Sequence, residues 1–397
     1  MTKSKFREFL FEAKHRTGLL AVAATVAVFL YMAVGAVAQS KSTLSALPPT
    51  PQAPGDNPTT PAKVALGRLL FWDPLLSGPQ DVACASCHHP QNGYAEDRDL
   101  SLGVTAIGLG SKRRQAPGSS IPIVKRNSPT VVNIAFSGSD ESGRYDPATA
   151  PMFWDLRVKS LEKQALEPLK AHEEMRGTTY PEDEALASVV AKLQANAEYR
   201  SLFAGAFGSA QPVNSENLGR AIAAFERTLL ANNSPFDRYM RGDHSAMTEE
   251  QVSGMRRFES VGCVKCHNGP MFSDYKLHVM GVPDNPALPA SDDGAEKTYA
   301  FRTASLRNLA FTAPYEHNGM FRTLSDVVGF YEDARGGRSR NPNVSSEKLD
   351  PLLRELGDFD EEDVDLVEFL RALSDDSFDK TIPERVPSGL PVGGKIQ

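Results

Sequence analysis

Two short stretches each place two thiols and an imidazole within five residues. They are Cys84, Cys87 and His88 in "CASCH", and Cys263, Cys266 and His267 in "CVKCH". Three chemistries suit a C-x-x-C-H unit. The two cysteine pairs together could hold a tetrahedral zinc ion. A pair could cycle between dithiol and disulfide. Each pair could instead add to the two vinyl groups of a haem, with the adjacent histidine reaching the iron from one face. Zinc would leave the neighbouring histidine idle in both copies. A redox dithiol expects a βαβ context, which the chain does not offer. Haem attachment uses all three residues of each unit and suits an exported chain, so two covalent haems c are expected. His88 and His267 are then the proximal ligands. The occupant of each sixth position separates an electron carrier from a site open to peroxide or oxygen.

No cysteine is left over, because these are the only four in 397 residues. The compartment follows from the N-terminus. Lys3, Lys5, Arg7, Lys14 and Arg16 precede "LLAVAATVAVFLYMAVGAVA" at 19–38, an apolar run of bilayer-spanning length. The basic flank should stay in the cytoplasm and the remainder be exported. "AVA" at 36–38 also has the small residues of a signal-cleavage site. The run is thus a cleaved signal or a retained anchor, and either puts the rest of the chain in the periplasm, free or tied to the inner membrane. Net charge is −7, which argues against nucleic acid as a partner. Composition is that of an ordinary globular protein, 41% hydrophobic and 23% charged.

The elements that must position the two units read as helices. Residues 39–62 are rich in Pro, Ser and Thr and form a linker. "AKVALGRLLFWDP" is an amphipathic helix ended by Pro74. Residues 84–130 are mostly loop, long enough to suggest function. Helical patterns follow at 158–175, 182–204 and 214–231, where Leu218, Ile222, Phe225 and Leu229 share one face. Thr248, with Gln251 three residues later, caps a helix running into the second C-x-x-C-H. Further helices are expected at 323–334, 346–356 and 360–373. No long alternating strand appears. The fold class is mainly α, in two similar halves, with an N-terminal membrane helix or signal.

A set of longer stretches carries a resemblance. "LGRLLFWDPLLSG", "RNSPTVVN", "MFWDLRVKSLEKQALEPL", "SPFDRYMRGD", "GCVKCHNGPMFSD" and "FRTASLRNLAFTAPYEHNGMFRTL" resemble the bacterial di-haem cytochrome c peroxidase family, to which MauG also belongs. The resemblance covers about 63–375. It implies two cytochrome c-like haem domains in tandem. The N-terminal domain, 63–235, would carry the peroxidatic haem. The C-terminal domain, 236–380, would carry the electron-transfer haem, and 381–397 would be a tail. It further implies a calcium ion between the domains, carried over onto Asn127, Thr312 and Pro314. His317, in "APYEHNG", matches a family histidine near the haems and is expected to bond a propionate.

Three features place the chain within the family. Where ordinary members have a methionine on the helix after "APYEHNG", this chain has Tyr331, as MauG has tyrosine. A phenolate is a hard anionic ligand that favours oxidised iron, whereas methionine raises the potential. The competing reading makes Tyr331 a packing residue and Met280 or Met320 the ligand. Second, 90–171 contain no histidine, so no distal histidine can close the N-terminal haem. His89 is too near its own motif to swing over the ring, and Lys112 reads as solvated.

Third, Trp154 falls where the family has a tryptophan between the haems, Gln164 and Pro168 where it lines the distal pocket, and Glu174 where a carboxylate acts as acid–base. Peroxide cleavage needs a proton moved from one oxygen to the other, and an apolar pocket raises a carboxyl pKa enough to do so. Alone, Glu174 would read as an exposed helix acid. His172 and Glu173 are expected to face solvent, and Trp72 to lie in the core. The reading is a MauG-like peroxidase. It takes hydrogen peroxide and draws electrons from a small cytochrome or copper protein, or from a residue of a protein substrate. The alternatives are an ordinary cytochrome c peroxidase that needs prior reduction, and a di-haem electron-transfer cytochrome without catalysis.

Overall fold

Leucines and phenylalanines at helical spacing set the architecture. The computed structural model describes residues 43–208 and 210–397. The apolar run 19–38 lies outside the described residues. Among the described residues no helix is long and apolar enough to cross a membrane. They hold seven helices of nine or more residues: α1 (Pro61–Trp72), α2 (Ala185–Ala195), α3 (Ala197–Phe207), α4 (Ser215–Glu226), α5 (Glu249–Ser260), α6 (Leu324–Arg335) and α7 (Val364–Ala372). The only strands beside them among the described residues are two-residue strands, in three antiparallel pairs. The fold is mainly helical.

One packing device occurs twice. In the N-terminal half α1 crosses α4, and Leu66 and Leu70 meet Leu218, Ala221 and Ile222 in a buried cluster. The helices approach so closely that a Cβ on Gly67 would stand 2.0 Å from the Ala221 carbonyl oxygen. In the C-terminal half α5 crosses α7 around Phe258, Leu366 and Phe369. There a Cβ on Gly254 would stand 1.9 Å from the Asp365 carbonyl oxygen. Each glycine is followed four residues on by a buried phenylalanine, Phe71 or Phe258, and each helix leads into a C-x-x-C-H unit. The second crossing is cemented by Phe236, Phe258, Phe272 and Phe369, whose ring centroids lie 5.1–6.1 Å apart. Burial of each such ring contributes roughly 1.5–3 kcal/mol.

The helix expected over 158–175 is three short pieces, Leu161–Gln164, Glu167–Lys170 and a π-helical turn His172–Arg176. Pro168 explains the first break: it has no N–H to donate and disfavours a helical residue before it. The expected helix 182–204 is α2 and α3, divided at Asn196, whose side chain caps α3. Over 346–356 only a 3₁₀ turn, Pro351–Glu355, forms.

Both ends of the described chain are packed. The Pro-rich segment buries Leu44 and Leu47, and the Leu47 N–H donates to Asp237 at 2.9 Å. Asp237 is itself fully buried against Arg307, 2.9 Å away. Residues 381–397 lie along the N-terminal half, with Val386 buried and Val392 and Ile396 packed beside Trp72. Trp72, expected in the core, is fully buried.

Candidate active site

The two C-x-x-C-H units open into two different cavities. Cys84, Cys87 and His88 line one, and Cys263, Cys266 and His267 line the other. One zinc ion therefore cannot collect all four thiols. Each histidine is oriented from behind. The carbonyl of Tyr94 lies 3.1 Å from His88 Nδ1, and that of Phe272 lies 2.9 Å from His267 Nδ1. Burial pushes both imidazoles below their ordinary range, so each is neutral. A neutral ring that donates from Nδ1 offers Nε2 as a ligand. The thiols are unpaired, and burial raises those of Cys84 and Cys263 to about 12.

The N-terminal cavity gathers residues that lie far apart in the chain. Trp154, Gln164, Pro168 and Glu174 all line it with Cys84 and His88. Gln164 ends one short helix and Pro168 lies in the first turn of the next, so the break between them turns both toward the cavity. Glu174 sits in the π-helical turn. Burial raises its carboxyl to about 7, the charge of Glu173 adds to this, and Arg157 opposes it. Glu173, expected to face solvent, lines the same cavity, whereas His172 does not. Among the described residues on this wall, His88 is the only histidine.

Trp154 lines both cavities. It is 8% exposed, and its indole N–H donates to the Asn127 carbonyl at 3.0 Å. Beside it His317 stacks on Phe301, ring centroids 3.6 Å apart and 14° from parallel. Burial pushes His317 down to about 3, and its Nδ1 has no partner. Arg302 Nε is likewise buried and unpartnered, on the wall of both cavities. Neither orphan is expected unless a polar group completes it.

In the C-terminal cavity Tyr331 projects from α6 toward His267, with its hydroxyl oxygen 3.5 Å from Nε2. That separation is near the roughly 4 Å span of two metal–ligand bonds of about 2 Å each. Met280 lines this cavity too, and Met320 does not. Burial holds the Tyr331 phenol well above its ordinary value, with Glu316 adding to the effect. The phenol of Tyr331 is therefore neutral in this cavity. Asn127, Thr312 and Pro314 come together on the same wall. The Asn127 side-chain amide donates to the carbonyls of Arg98 and Asp99, at 2.9 and 3.3 Å, which leaves its oxygen for another partner.

The residues fit two c-type haems. Each cavity has two unpaired thiols and a neutral histidine whose Nε2 meets only a hydroxyl, that of Ser128 at 3.3 Å from His88 and that of Tyr331 at 3.5 Å from His267. Arg302 supplies an unmatched N–H donor and His317 an unmatched ring nitrogen, of the kind propionates can meet. The sequence reading missed Arg302 and Glu226. Glu226 is 4% exposed and lines the N-terminal cavity, with one carboxyl oxygen unpartnered. Burial raises it to about 8. Its place four residues after Ile222, on the buried face of α4, was the available signal.

Comparison with known proteins agrees. A family model described as di-haem cytochrome c peroxidase matches residues 61–245. A cytochrome-c peroxidase of Pseudomonas sp. (strain SCT) is 35% identical, covering 83% of this chain and 85% of that one. The methylamine utilization protein MauG of Methylorubrum extorquens is 34% identical, covering 83% of each. Among solved structures, a MauG-like protein associated with microbial copper homeostasis superposes with a TM-score of 0.65 at 27% identity, covering 83% of this chain and 94% of that one. With two haem-attachment units in two cavities and relatives this similar over most of its length, the chain belongs to the di-haem cytochrome c peroxidase family and is a peroxidase that carries two haems c.

Proposed function

We propose that the protein is a MauG-like peroxidase that reacts with hydrogen peroxide at an open N-terminal haem and shares the oxidising equivalents with a tyrosine-ligated C-terminal haem. The observation that carries this reading is Tyr331, whose hydroxyl faces His267 Nε2 at 3.5 Å. When bound, the haems supply the redox chemistry by which peroxide, two electrons and two protons become two waters.

The chain's own residues do the rest. His88 and His267 present Nε2 from one side of each cavity. Glu174 moves a proton between the two peroxide oxygens, a task suited to a carboxyl near 7. Gln164 orients the peroxide by hydrogen bonding, and Pro168 keeps the neighbouring wall free of a competing N–H. Trp154, common to both walls, carries electrons between the sites. His317 and Arg302 hold propionates, and Asn127, Thr312 and Pro314 hold a calcium ion through oxygen atoms. The protein acts in the periplasm, free or anchored by 19–38. Its electrons come from a small redox protein or from a protein substrate.

Electron paramagnetic resonance of the resting oxidised protein tests this. One high-spin and one low-spin signal are expected, and Tyr331→Phe should remove the low-spin tyrosinate signature. Two low-spin signals in the parent protein, or a low-spin signal unchanged in Tyr331→Phe, would overturn the reading.

A further inference from the structure

Residues 393–395 form a strap over the N-terminal half. The Gly393 N–H donates to the Trp72 carbonyl at 2.8 Å, and the Lys395 N–H to the Asp81 carbonyl at 2.9 Å. Ser86, inside the first C-x-x-C-H unit, donates its hydroxyl to the Gly393 carbonyl at 2.8 Å. On its other side the strap receives the Gly108 N–H at the Lys395 carbonyl, 2.8 Å away. It thus bridges the haem-attachment unit and the loop 103–108.

Asp81 joins the two. Its side chain is 5% exposed. One carboxyl oxygen accepts the Thr105 N–H at 3.0 Å and lies 3.5 Å from Lys395 Nζ. The other has no partner. Thr105 is held at φ +69, a left-handed conformation that a β-branched residue adopts only when its surroundings impose it.

The loop ends against Glu174. The Val104 N–H donates to the Glu174 carbonyl at 2.8 Å. Gly103 lies so close that a Cβ there would stand 2.2 Å from the carbonyl oxygens of Glu173 and Glu174. A continuous path therefore runs from the strap through Asp81 and Thr105 to the backbone of the acid–base glutamate.

We propose that the strap and Asp81 are positioning residues for Glu174: they brace the loop 103–108, and that loop fixes where the Glu174 carboxyl points in the N-terminal cavity. The inference rests on the acid–base role proposed above for Glu174.

The test uses the two-haem protein and four variants. Gly394→Val should lift the strap, since a Cβ there meets the Asp81 carbonyl oxygen at 2.4 Å and φ is +78. Asp81→Ala removes the brace. Asp81→Asn keeps an acceptor for the Thr105 N–H and is the rescue. Glu174→Gln is the reference for the acid–base role. Amide hydrogen exchange of 103–108 and 171–176 is measured beside the pH profile of the reaction with peroxide.

In Gly394→Val and Asp81→Ala both segments should exchange faster by roughly tenfold. The peroxide rate should fall between about tenfold and 100-fold, and its pH midpoint should move toward an ordinary carboxylate value, with the spectra of both haems unchanged. Asp81→Asn should stay near the parent protein. If Glu174→Gln abolishes the rate while a released loop leaves rate and midpoint untouched, the positioning role is wrong. If Glu174→Gln leaves the rate intact, the acid–base reading has failed, and exchange at 171–176 then decides the inference alone. Should Gly394→Val not fold, the smaller Gly394→Ala, whose Cβ meets the same Asp81 carbonyl oxygen, replaces it and is judged by the same readouts.

Discussion

Glu174 combines two properties that conflict at most positions: it is half-buried in a cavity wall, yet it is an acid. The apolar surroundings resolve the conflict by raising its carboxyl to about 7. The sign of the pH dependence follows. Below about 7 the carboxyl is protonated and cannot take a proton from peroxide, so the reaction should slow as pH falls through that value. Glu174→Gln should lower the peroxide rate by roughly 100- to 10,000-fold and remove this limb from the profile. Stopped-flow absorbance at several pH values measures both, and a limb that persists in the glutamine variant would assign it to another group. In the sequence Glu174 was legible by its distance from Trp154 and by nothing in its own neighbourhood. Arg302 stayed hidden because its importance lies in a missing partner, which only three-dimensional packing reveals.

At the scale of elements, the helix crossings place the haem-attachment units. Replacing a helical glycine by alanine ordinarily gains up to about 1 kcal/mol. At Gly67 the opposite should hold, since the added carbon would stand 2.0 Å from a carbonyl oxygen of α4 and overpacking costs typically 1–3 kcal/mol. Gly67→Ala should therefore lower the melting temperature, as calorimetry of the two-haem protein would show. An unchanged or raised value would mean that the crossing is not tight. The long helices were readable from apolar spacing and caps, as Thr248 with Gln251 shows for α5. The region 158–175 was not, because its apolar residues keep a helical rhythm while Pro168 and the π-helical turn break the backbone. Those breaks turn Gln164, Pro168 and Glu174 into one cavity.

At the scale of the whole molecule, two cavities share a wall. Trp154 and Arg302 belong to both, so the two halves differ in what fills the far side of each cavity. One has a carboxyl near 7 and no second histidine among its described lining residues. The other has a tyrosine aimed at His267. That asymmetry was visible in the sequence through Tyr331 and the histidine-free stretch 90–171. The path of residues 393–395 onto the first haem-attachment unit was not, because a Gly-rich segment carries no periodic signal for where it will dock. The proposed division of labour makes one claim above the others: that the oxidised protein is ready for peroxide as it stands. Rapid mixing of the fully oxidised two-haem protein with peroxide, with no reductant present, tests it most directly. A prompt spectral change at both haems is predicted. No change until one electron has been supplied would contradict the account and place the protein with peroxidases that need prior reduction.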